Sequence, residues 1–265
     1  MPNSYPPPVI ALGQQPNGFF PKRYLVSKLE TARNLQKEIG GKIIFFYHDS
    51  DSDYRETITV LKDKNTQSEF RLNFTQENKI QKNFSPLYLK RIPENWKAEI
   101  LKQLPRALEE NQIKLFSSIG AKNTADFCLE MYKKLGLLEG VEIIRSSNQD
   151  FRQKAPNLTN DYYADVKYEN EIVRAKVLAK DNKKFGLLHH GGGKNTEFEI
   201  SEEIPKNQIT PGRDERFGWM NSVIKSTHYI CGNSEFEYLK KEKFPEVKFL
   251  KRDQVEDESL AWLPS

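Results

Sequence analysis

Val9-Ile-Ala-Leu-Gly13-Gln-Gln-Pro-Asn-Gly18-Phe-Phe-Pro21 opens a stretch that runs through Tyr24 to Ile39 and ends in Gly41-Lys-Ile-Ile-Phe-Phe-Tyr-His48-Asp-Ser-Asp51-Ser-Asp53. An apolar run, a glycine-bearing loop, an amphipathic segment and a second apolar run ending in acids spell one βαβ unit. Both strands are apolar on successive residues, as expected when helices cover both faces of a parallel sheet. Tyr24, Leu25, Lys28, Leu29, Ala32, Leu35 and Ile39 fall mostly on one helical face, and Gly40-Gly41 ends the helix. Ligands of parallel sheets bind at the carboxyl ends of the strands, so the loops 13–22 and 48–56 are the first candidates for chemistry.

Outward from this unit the periodicity changes. Thr57 to Leu61 and Phe70 to Phe74 alternate around a Lys-Asp-Lys-Asn turn, which predicts an antiparallel hairpin. Residues 94–116 return to a helical spacing through Trp96, Ile100, Leu104 and Leu108, with Pro105 predicting a kink or a break. Asn123 or Thr124 caps a further helix carrying Phe127, Met131 and Leu135, and Val141 to Ile144 forms another strand. Tyr162 to Leu188 alternates again and predicts a second hairpin insertion. Thr227 to Cys231, Ser234 to Lys240 and Val247 to Leu250 then repeat the strand, loop, helix and strand order of the N-terminal unit. The pattern predicts a single α/β domain over 1–265, a Rossmann-like parallel sheet with small antiparallel β insertions near 54–92 and 160–205.

Composition narrows the partners. The 265 residues carry 41 Lys and Arg against 37 Asp and Glu, a net charge of +4 spread along the chain, so no concentrated basic face points to nucleic acid. Cys128 and Cys231 lie far apart in apolar settings and read as buried, reduced thiols. The N-terminus lacks a basic and apolar leader, and no run reaches the roughly 18 apolar residues of a membrane span. A cytoplasmic protein acting on a small-molecule substrate is expected.

Gln14 and Gln15 at a strand end can grip a carboxylate, hydroxyl or phosphate without adding charge, and an anion there would gain from the N-terminus of the helix starting near Lys22. His48, Asp49, Asp51 and Asp53 set one imidazole and three carboxylates in six positions. Such crowding is expected to raise the proton affinity of the acids, as a general base or divalent-cation site requires. Arg213 and Arg216 precede a helix and offer planar forks to an anion, unless they pair with neighbouring acids. Gly232-Asn233-Ser234 before Glu235 repeats the first loop's logic of glycine, cap and helix. His189-His190-Gly-Gly-Gly-Lys194-Asn-Thr196 lacks Walker A spacing and reads as a hairpin tip, although a basic glycine loop could also close over phosphates.

Gly13-Gln14-Gln15 with its Gly18 loop, Tyr24, Lys28 and the acid-ended strand resembles the BshC family, the cysteine-adding enzymes of bacillithiol synthesis. A second block matches in order: Arg216, Asn221, then Tyr229-Ile-Cys-Gly232-Asn233-Ser-Glu235-Phe-Glu-Tyr238. The family's Glu-Asp-His-Asp stands here as Ser50-Asp51-Ser52-Asp53, and its coiled-coil arm has no counterpart in this shorter chain. The resemblance implies a nucleotidylyltransferase-like core and a ligase-type condensation of small polar metabolites, an amino acid with a sugar conjugate. On this reading Asp51, Asp53, His48 and Arg216 are the catalytic candidates. Gly13, Gln14, Gln15, Gly18, Tyr24, Lys28, Asn221, Gly232, Asn233 and Glu235 are the substrate-binding ones. Where the acyl group must be activated, ATP with Mg²⁺ is the expected source, although the chain carries no nucleotide signature. A nucleotidyl-transfer enzyme and a non-catalytic metabolite- or protein-binding relative are the alternatives.

Overall fold

A computed structural model describes residues 6–158 and 161–264; Met1 to Tyr5 of the N-terminal leader lie outside them. β1 (Val9–Gln14), α1 (Arg23–Ile39) and β2 (Lys42–Tyr47) form the βαβ unit, with Val9 beside Lys42 and Gln14 beside Tyr47 in parallel register. The turn into β2 depends on glycine. Gly41 has φ +88°, and a Cβ there would lie 2.1 Å from the Pro8 carbonyl oxygen.

The chain then leaves the sheet for a long excursion. β3 (Thr59–Lys62) and β4 (Glu69–Leu72) form the expected antiparallel hairpin. It is shorter than its alternation suggests because side chains take over the ladder at its open end. Thr57 Oγ1 donates to Asn73 Oδ1 (2.8 Å), and Trp96 Nε1 donates to the Asn73 carbonyl (2.9 Å). α2 (Lys79–Phe84) follows, and the 94–116 segment breaks at Pro105 into α3 (Trp96–Leu101), a 3₁₀ turn and α4 (Glu110–Ser117). Proline lacks the N–H that would continue the helix. α5 (Thr124–Lys134) starts at Asn123, whose side chain accepts from Asp126 N at 2.8 Å, and leads to β5 (Val141–Arg145) and α6 (Gln149–Lys154).

The second insertion is larger than a hairpin. β6 (Tyr162–Tyr168), β7 (Glu171–Lys180), β8 (Lys183–Gly191) and β9 (Lys194–Ile200) form a meander, and β10 (Ile209–Pro211) returns beside β6, giving a five-stranded antiparallel sheet ordered β10-β6-β7-β8-β9. β8 and β9 are rich in Lys, Glu and Gly and half-exposed, so their alternation is weak. The His189–Thr196 motif is the tip of the β8–β9 hairpin, with Gly191, Gly192 and Gly193 all at positive φ.

α7 (Arg216–Ile224), β11 (His228–Cys231), α8 (Asn233–Tyr238) and β12 (Lys248–Lys251) complete the chain. The central sheet is fully parallel, ordered β12-β11-β1-β2-β5. Counted along the chain its five strands lie in the doubly wound order 3-2-1-4-5. Alternate residues serve opposite faces. Ile10, Leu12, Phe45 and Ile230 pack under α1 and α5, while Ala11, Ile44, Phe46 and Tyr229 pack under α6 and α7. No helix among the described residues is long and apolar enough to cross a membrane.

Phe19, fully buried in the loop after β1, ties the first excursion to the sheet. Its ring meets Phe74 (5.7 Å), Trp96 (5.8 Å) and Phe116 (5.3 Å) edge-on. The Phe19→Ala substitution is expected to lower the unfolding free energy by about 3–5 kcal/mol, the range for deleting a buried aromatic ring. Urea denaturation followed by tryptophan fluorescence measures it.

Candidate active site

Between β1 and β11 the sheet reverses its winding: α1 leaves toward one face and α8 toward the other, which opens a crevice at the carboxyl edge. A cavity of about 350 Å³ occupies it. Gly13, Gln14 and Gln15 from the end of β1, Tyr24 and Lys28 from α1, His48 just after β2, Arg216 from α7, and Gly232, Asn233 and Glu235 around the start of α8 all line it. Segments some two hundred positions apart therefore share one pocket.

Lys28 organises the floor. Its side chain is 3% exposed, and the ammonium donates to Gly13 O (2.9 Å), Gln14 Oε1 (3.4 Å) and Glu235 Oε2 (2.8 Å). Glu235 also accepts from Tyr229 Oη (2.7 Å) and from Gly232 N (3.2 Å). Gly13 is required for space rather than for φ: a Cβ would lie 2.7 Å from Tyr229 Oη and 3.0 Å from His48 Nε2.

His48 is buried against the Phe46 ring (4.6 Å, edge to face), and its ring has no hydrogen-bond partner among the described residues. Burial, reinforced by the Arg216 guanidinium, pushes its pKa well below the ordinary 6.5, so the imidazole is neutral. Asp51 accepts from Arg216 Nη2 (2.9 Å), Gln15 Nε2 (3.3 Å) and Ser52 N (2.7 Å). Burial by itself would raise the Asp51 carboxyl, but Arg216 and Arg174 override it and hold the group well below the usual carboxylate range. The expected rise in proton affinity from crowded acids is thus reversed, because guanidiniums and not neighbouring carboxylates surround Asp51.

The remaining acids of the cluster point elsewhere. Asp49 is fully buried and accepts from Arg145 Nε (2.6 Å), Ser147 Oγ (2.7 Å) and Ser147 N (2.9 Å), tying β2 to β5. Asp53 pairs with Arg55 (2.7 Å) in a separate cleft beside His189 and His190 and does not line the cavity. Gly18, at φ +112°, shapes a buried turn whose carbonyl accepts from Tyr132 Oη (2.7 Å), and Asn221 caps the end of α7 by accepting from Ser226 N (2.8 Å). Both support the fold away from the pocket.

The anion seat expected at the N-terminus of α1 is taken. Arg23 N donates to Leu260 O (2.9 Å) and Tyr24 N to Glu258 O (3.2 Å), so the C-terminal segment caps that helix. The same segment brings Arg252 and Glu258, joined to each other, into the cavity wall. Glu56 lines it as well. Arg174 arrives from β7, seated over the Tyr163 ring (3.9 Å) and donating to Pro211 O (3.1 Å). Only a long-range fold brings these four groups to the β1 edge, and of them only Glu56 lies in a loop that the sequence singles out.

The donor set does not form a resident divalent-cation site. Asp51 is bound by Arg216 and Asp53 by Arg55, and no group of three His, Cys, Asp or Glu side chains able to hold a metal ion comes together among the described residues. Cys128 and Cys231 are free and buried, and burial pushes both thiols up. Comparison with models of known protein families and with curated proteins returned no match.

Lys28→Met strands the Glu235 carboxylate and is expected to cost about 3 kcal/mol, the low end for breaking a buried pair, since Glu235 keeps 20% exposure. A double variant with Glu235→Gln should recover part of that loss in chemical denaturation. The depressed Asp51 carboxyl stabilises the fold above the ordinary value of 3.8, and that contribution is lost as pH falls through the folded value. The stability gap between wild type and Asp51→Asn should therefore narrow as the pH is lowered from 3.8, in thermal melts across an acid series.

Proposed function

We propose that this chain is a BshC-like enzyme of the ligase type, joining an amine to an activated acyl group on small polar metabolites in the switch-point cleft. The observation that carries this reading is the convergence of its two matching blocks, Gly13–Gln15 with Lys28 and Arg216 with Gly232–Glu235, on one cavity. Soluble metabolites of the cytoplasm, such as those of bacillithiol synthesis, are the substrates such an enzyme would meet.

The cavity walls match the demands of the chemistry. In amide formation from an acyl phosphate, the amine nitrogen attacks the acyl carbon and a C–N bond forms. The bond from that carbon to the leaving oxygen breaks, its electron pair going to the departing phosphate, and the nitrogen's protons leave for acceptors. Arg216 gives Asp51 a single N–H and keeps the rest of its fork for a substrate anion, with Arg213 beside it. The neutral His48 ring can donate an N–H to the oxygen on which charge develops. Gln14 and Gln15 orient the acceptor through amide hydrogen bonds.

Asp51 is too acidic to serve as the base, and its contacts make it the support of Arg216 and Gln15. Asp53 faces Arg55 outside the cavity and has no part in this scheme. Among the described residues no three His, Cys, Asp or Glu side chains gather to hold Mg²⁺, and no residue is given a metal-binding role in this scheme.

Thermal-shift screening with ATP and Mg²⁺, cysteine, and sugar–malate conjugates is expected to raise the melting temperature for at least one of them. Arg216→Ala should weaken that binding roughly 10- to 100-fold, the worth of a charge-assisted hydrogen bond. Absence of stabilisation by every compound would leave a non-catalytic relative as the better description.

A further inference from the structure

We propose that Glu56 is the amine subsite and proton acceptor of this cleft, the group that receives a primary ammonium and takes its proton. The proposal rests on the condensation reading and adds to it the acceptor that reading requires. An amine enters as an ammonium at neutral pH, and two N–H protons must leave before an amide nitrogen results. The first transfer breaks an N–H bond, leaves its electron pair on nitrogen as the nucleophilic lone pair, and places the proton on a Glu56 oxygen.

The carboxylates around the cavity separate by their partners. Asp51 is held by Arg216, Glu235 by Lys28 and Tyr229, and Glu258 by Arg252. Glu56 lines the same cavity, and among the described residues no side chain pairs with its carboxylate. Lys22 gives one N–H to the Glu56 backbone carbonyl at 3.0 Å and reaches the carboxylate only through its field, forming no ion pair with it. The backbone around residue 56 is itself fixed, since Glu56 N donates to Asp53 O (3.3 Å) and Thr57 N to Tyr54 O (3.3 Å). A half-buried carboxylate with no ion-pair partner among the described residues is therefore left in the cavity wall.

The charges around it support the same role. Lys22 and Arg55 lower its proton affinity while Asp53, Asp51 and above all burial raise it, and the balance lifts Glu56 above the ordinary glutamate value. The Tyr24 hydroxyl, also in the cavity wall, is raised by burial and by Glu56 and stays protonated. His48 is pushed the opposite way, toward weak basicity. Among Asp51, His48 and Glu56, only Glu56 combines access to the cavity with an enhanced appetite for a proton.

Two phosphates that differ in one group test this on the full chain: phosphoethanolamine, with an ammonium, and 2-hydroxyethyl phosphate, with a hydroxyl in its place. Wild type is expected to prefer the amine by about tenfold in calorimetric titration, and the ratio should fall to about one in Glu56→Gln. Arg216→Ala should weaken both compounds alike. In parallel, ¹³C-glutamate NMR, assigned by the loss of one resonance in Glu56→Gln, should show that carboxyl titrating above the ordinary 4.5. Failure of both phosphates to bind sinks the condensation reading. A Glu56 resonance titrating at or below 4.5, or an amine preference that survives Glu56→Gln, overturns the Glu56 assignment.

Discussion

The ammonium of Lys28 lies almost out of water at the one place where the sheet changes its direction of winding. A charge in that position is tolerated only with acceptors around it, because desolvation would otherwise cost several kcal/mol. Its acceptors come from the end of β1 and from the first turn of α8, so one side chain of α1 joins both walls of the crevice. The parallel ladder sets β11 beside β1, but it does not dictate where α8 begins. The Lys28–Glu235 pair ties the first turn of α8 to the end of β1, and Glu235 in turn holds the Tyr229 hydroxyl and Gly232 N beside Gly13.

Around that anchor, electrostatic context separates groups that look alike. Asp49, Asp51 and Asp53 occur within five positions, yet one ties two strands, one supports Arg216 and one pairs with an exposed arginine. Their roles follow from which cation each meets, a property of neighbouring elements and not of the local run of acids. Glu56, three residues on, differs in forming no ion pair among the described residues, the Lys22 charge reaching its carboxylate only through space.

The two β excursions contribute to both core and site. The first supplies Phe74, Trp96 and Phe116, which close the apolar face beneath α1 around Phe19. The second is joined to α6 through the buried Arg152–Asp165 pair (2.8 Å) and carries Arg174 toward Asp51. Arg216 and Arg174, with hydrogen bonds from Ser52 and Gln15, outweigh the burial that would raise the Asp51 carboxyl.

The strands and helices of the parallel core are legible in the chain because each is a run of local signals: Val9 to Leu12 and Ile43 to Tyr47 are apolar on consecutive residues, Gly40-Gly41 stops α1, and Asn123 caps α5. The break at Pro105 and the glycine tip at 191–193 are local in the same sense. The size of the second sheet is less legible, since β8 buries only Gly186 and Leu188 and β9 stays partly or fully exposed among many charges. The partners of charged groups are not legible at all. That Gln15 and Arg216 meet at Asp51, that Leu260 and Glu258 occupy the N-terminus of α1, and that Glu56 faces a cavity all depend on contacts between distant residues. Backbone preference and side-chain periodicity act over a few residues and so are written in the sequence, whereas desolvation and charge pairing are settled only when the folded chain decides which groups share the same water-poor space.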